Sequence, residues 1–191
     1  MSSNTKEFWA WFLTEPATWA VPGDDFDEEE LMPLYDKLEE HFPELTPNVS
    51  WQPDEHWEIE FCAKLNPSMA PLIRKIVAEA PALESWRFVA FGPPLGFSPL
   101  YVAHLGLLWE QMPVDEILVE RRPHGPTVAL TVYLPDYDDS LREGFDTAVR
   151  LLLEAGMGEA WLLEQLGDLQ LADRSEAPEP AIVISELGST D

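Results

Sequence analysis

Residues 56–91 read HWEIEFCAKLNPSMAPLIRKIVAEAPALESWRFVAF, and this stretch decides the fold class. Its first part alternates. Trp57, Ile59, Phe61 and Ala63 fall on one side of an extended chain, with Glu58, Glu60, Cys62 and Lys64 on the other. A period of two marks a half-buried strand. The period then changes. Met69, Leu72, Ile73, Ile76, Val77 and Ala80 form a helical stripe, Asn66 or Ser68 can cap it, and Pro81 stops it. SWRFVAF (85–91) is a short, aromatic, continuous apolar run, as expected of a buried central strand. GPPLG (92–96) ends the pairing. Its glycines suggest a phosphate loop, but Pro93 and Pro94 remove two backbone N–H groups that such a loop needs.

Downstream, the stretch from Gly92 to Pro113 admits helix, strand or one of each. VDEILVERR and TVALTVYL read as an antiparallel hairpin whose PHGP connection is slightly long for a two-residue turn. Val128, Leu130, Val132 and Leu134 give its second strand a core face. In DDSLREGFDTAVRLLLEAG, Ser140 and Glu143 form a capping box, Leu141, Phe145, Ala148, Val149 and Leu152 make a buried stripe, and Gly156 terminates. GEAWLLEQLG is a short helix and DLQLA a last strand. DRSEAPEP is linker-like and AIVISEL an isolated apolar run.

Upstream, Phe8, Trp9, Trp11 and Phe12 give a short helix an aromatic face. Asp27 with Glu30 opens a second helix, whose stripe is Leu31, Leu34, Tyr35, Leu38 and Phe42, with Pro33 tolerable near its start. FPELTPNVSWQP follows as a loop.

Strand–helix–strand followed by strand–strand–helix–strand predicts an α+β domain. The expected sheet is mostly antiparallel, in a ferredoxin-like split β-α-β arrangement with an extra strand. Residues 1–172 form the expected single domain: 1–56 an acidic helical N-terminal elaboration, 57–172 the sheet core. Residues 173–191 form a tail. The N-terminal helices are candidates to cover the second face of the sheet. No repeat with a 20–50 residue period is present.

The chain has 191 residues, 46% of them hydrophobic, so it can build a core. Its net charge is −25, with the first 56 residues the most acidic part. Such a field repels nucleic-acid phosphates and anionic membranes and attracts basic partners. A single cysteine, Cys62, excludes an intramolecular disulfide and a Cys-rich zinc site. MSSNTKEFWAWFL does not read as a signal peptide, and no apolar run is long enough to span a membrane. A cytoplasmic protein is expected.

The sequence carries few signatures of chemistry. Four dispersed histidines, His41, His56, His104 and His124, show no metal-ligand spacing, and the acid runs DDFDEEE and DYDDSLRE lack calcium-loop spacing. Carboxylates beside Cys62 disfavour a thiolate there. No G-x-S-x-G occurs. Hence no catalytic residue, cofactor or metal is expected. Glu58 and Glu60 are either solvated or paired, with Arg87 the candidate partner.

Trp57, Trp86 and Trp161 lie in regular elements and read as core. Trp9, Trp11, Trp19 and Trp51 lie in the acidic part and are candidates for a contact surface.

VAEAPALESWRFVAFGPP and GFDTAVRLLLEAGMGEAW together resemble segments of a set of uncharacterised bacterial α+β domains of unknown function, over about residues 57–172. The resemblance implies a bacterial cytosolic protein and supplies no catalytic residues.

Two functions are therefore expected to compete. One is a non-enzymatic acidic module that binds a basic protein, in the manner of an immunity or inhibitor protein. The other is a small-molecule-binding or enzymatic domain, with a pocket between the sheet and residues 92–113 that uses Glu60, Arg87, His104 or Glu110. Self-association as a homodimer, through an open sheet face or through AIVISEL adding to an edge, is a third route.

Overall fold

A computed structural model describes residues 2–14, 28–52, 56–64, 66–97 and 114–189. The mixed α+β class is as expected. The strands form a three-stranded sheet and a four-stranded sheet, and these pairings do not confirm a ferredoxin-like order. Contacts divide the chain into two units, Met1–Gly92 and Pro93–Asp191.

In the first unit, helices α1 (Ser2–Thr14) and α2 (Glu28–His41) precede strands β1 (Thr46–Gln52) and β2 (His56–Cys62). Helix α3 (Ala70–Ala78) and strand β3 (Trp86–Ala90) follow. The sheet order is β1-β2-β3, with β1 antiparallel and β3 parallel to β2. The alternation in β2 is realised: Trp57, Ile59 and Phe61 are buried, while Glu58, Glu60 and Cys62 are half-buried.

Two expectations in this unit are corrected, and two alternatives left open by the sequence are resolved. FPELTPNVSWQP is not simply a loop, because Thr46–Gln52 is β1. Its proline misled: Pro47 is compatible with a strand that lies at a sheet edge. Among the described residues, SWRFVAF supplies an edge strand rather than a central one, with Phe88, Val89 and Ala90 half-buried and Arg87 exposed. Asn66 caps a 3-10 turn, Pro67–Met69, that precedes α3. The N-terminal helices cover the Trp57–Phe61 face, not the Glu58–Glu60 face. Trp9 meets Phe88 at 4.6 Å between ring centres, Phe12 meets Trp86 at 5.1 Å, and Phe42 meets Phe61 at 6.4 Å. These rings, with Phe8, Leu34, Leu38, Ile73 and Ile76, are the unit's core.

The second unit runs β4 (Leu118–His124), β5 (Thr127–Leu134), α4 (Arg142–Met157), α5 (Glu159–Glu164), β6 (Leu166–Asp173) and β7 (Ile182–Val183). Its order is β6-β5-β4-β7, with β5 antiparallel to β4 and parallel to β6. Because β5 is central, Thr131 and Tyr133 are buried along with the expected Leu130, Val132 and Leu134.

The hairpin turn is tighter than expected. Pairing continues to His124↔Thr127, leaving Gly125 and Pro126 as a two-residue turn with Gly125 at φ 62°. Asp138, not Ser140, caps the chain before α4: its side chain accepts from the Ser140 N–H at 2.9 Å. That leaves Leu141 before the helix and 49% exposed, while Leu153 joins the stripe.

Gly156 does not terminate α4, which ends at Met157 with Gly158 (φ 84°) as its cap. Gly156 instead makes room: a methyl group there would run into the Phe97 ring. The N–H groups of Leu95 and Gly96 both donate to the Ala155 carbonyl, at 2.8 and 3.0 Å, so the end of GPPLGF packs on this helix. AIVISEL provides β7 on the edge of β4 and buries Ile184 and Leu187.

Both units therefore share one plan: an antiparallel pair, a helical connection (one α-helix in the first unit, two in the second), and a third strand parallel to the second. They differ at the outer edge of the first strand. In the second unit β7 pairs there, with Leu118↔Val183 and Val119↔Ile182. In the first, no strand among the described residues pairs with that edge of β1.

Candidate functional site

The outer edge of β1 adjoins a cleft. Leu31, Met32 and Tyr35 of α2 line one side, Val49, Ser50 and Trp51 of β1 the other, and Trp57 of β2 contributes as well; the space is about 330 Å³. Helical spacing puts positions 31, 32 and 35 on one side of α2. Leu31, Val49 and Trp57 are buried, whereas Met32 is 52% exposed and Tyr35 and Trp51 are half-buried. The Trp51 ring stands edge-to-face on Trp57, with centroids 5.3 Å apart. Among the described residues, no charged side chain lines this cleft. It can take up an apolar side chain.

The charge lies around it. The first unit, residues 1–92, carries six basic and eighteen acidic side chains, a net of −12. Asp36 and Glu39 are exposed on α2, beside Met32 and Tyr35 in the helical repeat. Glu40 is paired with Lys37, whose ammonium holds that carboxyl below its usual range, first by hydrogen bonding and then by its charge. Glu58 and Glu60 lie on the opposite face of β2 from Trp57.

The structure separates the four expected contact tryptophans. Trp9 is core, 4% exposed, and its indole N–H donates to the Ile76 carbonyl at 3.0 Å. Its helical position carries it inward with Phe8 and Phe12. Trp11 is half-buried, with the Lys37 ammonium 6.0 Å from its ring centre. Trp51 is at the cleft. Trp19 lies outside the described residues.

Of the alternative pocket, Glu60 and Arg87 share one sheet but are not register partners, since Arg87 stands opposite Glu58. The Cys62 thiol donates to Glu60 Oε1 at 2.9 Å. His104 and Glu110 lie outside the described residues. Among those residues, no group of three His, Cys, Asp or Glu side chains is arranged to hold a metal ion. No described helix is long and apolar enough to cross a membrane.

Sequence reasoning missed Met32 and Val49. The signal for Val49 was present: Val49 and Trp51 alternate with Asn48, Ser50 and Gln52. The prolines at 43 and 47 concealed it.

No protein-family model matches the chain. No curated protein matches it either. Among solved structures, it is similar to two fragments of the periplasmic domain of the T3SS inner membrane protein PrgH from S. typhimurium. One match has 16% identity over 76% of this chain and 70% of that one, at a TM-score of 0.23. The other has 13% identity over 87% and 88%, at a TM-score of 0.24.

Proposed function

We propose that this chain is a non-enzymatic interaction module that binds a basic protein, in the manner of an immunity or inhibitor protein. The observation that carries this reading is an uncharged, aromatic cleft set in a unit of net charge −12. Aromatic side chains in a desolvated pocket supply binding energy, and the surrounding like charge supplies steering and discrimination. The lone cysteine fits a cytoplasmic setting.

Retention of basic proteins on the immobilised chain, compared at low and high salt, tests the reading. Basic proteins should be retained at low salt and released as salt rises. Trp51→Ala should weaken retention about tenfold or more, as expected for an aromatic anchor. It should lower the stability of the first unit by only about 0.5–1.5 kcal/mol, the value of the lost ring contact with Trp57. Absence of retention at low salt overturns the proposal.

A further inference from the structure

We infer that the partner contributes an extended segment that adds to the outer edge of β1 as a fourth strand, with alternating apolar and basic side chains. This inference rests on the interaction reading above and specifies its chemistry.

The direction of the backbone groups comes first. The Trp57 N–H donates to the Ser85 carbonyl at 2.8 Å, and the Phe91 N–H donates to the Phe61 carbonyl at 3.0 Å. Positions 57, 59 and 61 of β2 therefore turn their backbone groups toward β3. Their register partners on β1 are Trp51, Val49 and Pro47. In an antiparallel pair these are the non-hydrogen-bonded positions, so their own backbone groups face away from β2. The outer edge of β1 thus offers the N–H groups of Val49 and Trp51 and the carbonyls of Pro47, Val49 and Trp51. Pro47, which has no N–H, sits where no bond to β2 is lost.

Edge strands are commonly guarded by charge. The first strand of the second unit follows that rule. Beyond the two residues paired with β7, it carries Glu120, Arg121, Arg122 and Pro123. From Thr46 to Gln52, β1 has no charged residue. Among the described residues, the same strand of the shared plan is thus covered and guarded in one unit, and uncharged and unpaired at its outer edge in the other.

The surroundings specify the side chains. Val49 and Trp51 lie on the cleft side, with Trp57 and Ile59 as register partners. Alternate residues of an added strand would face Met32 and Trp51, where apolar groups fit. The intervening residues would lie beside Asn48 and Ser50, whose register partners are Glu60 and Glu58. Strands lie about 4.8 Å apart, so a lysine or arginine can reach across β1 to those carboxylates. Arg87 shares that face, opposite Glu58 in register.

The test uses the full chain and a seven-residue alternating Lys–Val peptide, matched to the seven residues of β1. Amide hydrogen exchange is read residue by residue. In the free protein, Asn48, Ser50 and Gln52 should exchange slowly, and Val49 and Trp51 rapidly. With peptide, Val49 and Trp51 should slow at least tenfold. A peptide N-methylated on alternate residues, and one of the same composition with its lysines in a block, should each bind at least tenfold more weakly. Val49 and Trp51 already protected in the free chain would overturn the inference, because the edge is then occupied by the chain itself or by a second copy. So would a block peptide that binds equally well, or no peptide binding. Salt-sensitive retention of a basic protein with Val49 and Trp51 still exchanging rapidly would overturn strand addition alone, leaving the interaction reading intact.

Discussion

The first strands of the two units, β1 and β4, differ in how their outer edges are finished. Each opens an antiparallel pair followed by a helical connection and a parallel third strand. The edge of β4 is covered near its start by Ile182 and Val183, and the rest is charged. The edge of β1 is uncharged and adjoins an aromatic cleft. Among the described residues, the pairing that covers the start of β4 has no counterpart on β1.

That contrast can be tested by damaging the finished edge. Ile184, just beyond β7, is fully buried, and its N–H donates to the Ile117 carbonyl at 2.9 Å. Ile184→Ala should destabilise the second unit by about 2–5 kcal/mol, the range for such core truncations. Denaturation followed by amide exchange should show the loss in β4 and β5 and not in β1–β3. An equal loss in both units would break the comparison, because the units would then share one cooperative transition.

Gly156→Ala comes next. Its methyl group meets the Phe97 ring, so overpacking should cost about 1–3 kcal/mol, again confined to the second unit. A smaller effect acts on β1 itself. Asn48→Lys places on the bare edge strand the kind of charge that guards β4. At an exposed site it should change stability by no more than about 0.5 kcal/mol. Capture of the alternating peptide should nevertheless fall sharply. Unchanged capture would show that charge on β1 is not what separates the two edges.

The smallest effect is on acid stability. Asp138 and Asp173 both have carboxyls held below the usual aspartate range, by hydrogen bonds from Ser140 and Ser175 respectively. A folded-state value below the unfolded one favours the folded protein above the ordinary aspartate range. That contribution disappears as pH falls through the lowered value. NMR titration should find both carboxyls titrating late on acidification, both in the second unit. Ordinary aspartate values would remove the effect.

Much of the fold was legible. The period of two in β2 and the helical stripes of α2, α3 and α4 survive because burial enforces them. The strand β1 was not legible, because local turn chemistry outweighed a two-residue alternation and edge tolerance for Pro47 appears only once the sheet order is known. Trp9 illustrates a different limit. Composition placed it among the acidic residues, but which side of α1 faces the core depends on rings from β2 and β3, distant in sequence. The cleft was half legible: Trp51 and Tyr35 stood out as an aromatic and a stripe residue, while Met32 gains meaning only beside β1.

The cover on β4 also has a timetable. Leu118 waits for Val183, 65 positions later, before its outer side is paired. At translation rates of about 5–20 residues per second, that is a delay of about 3–13 seconds. During that interval the growing chain carries an incomplete sheet, and Arg121, Arg122 and Pro123 stand on the exposed remainder of the strand. Their charge and the missing N–H then serve a nascent polypeptide, discouraging stray pairing between neighbours on the same message until the last strand arrives.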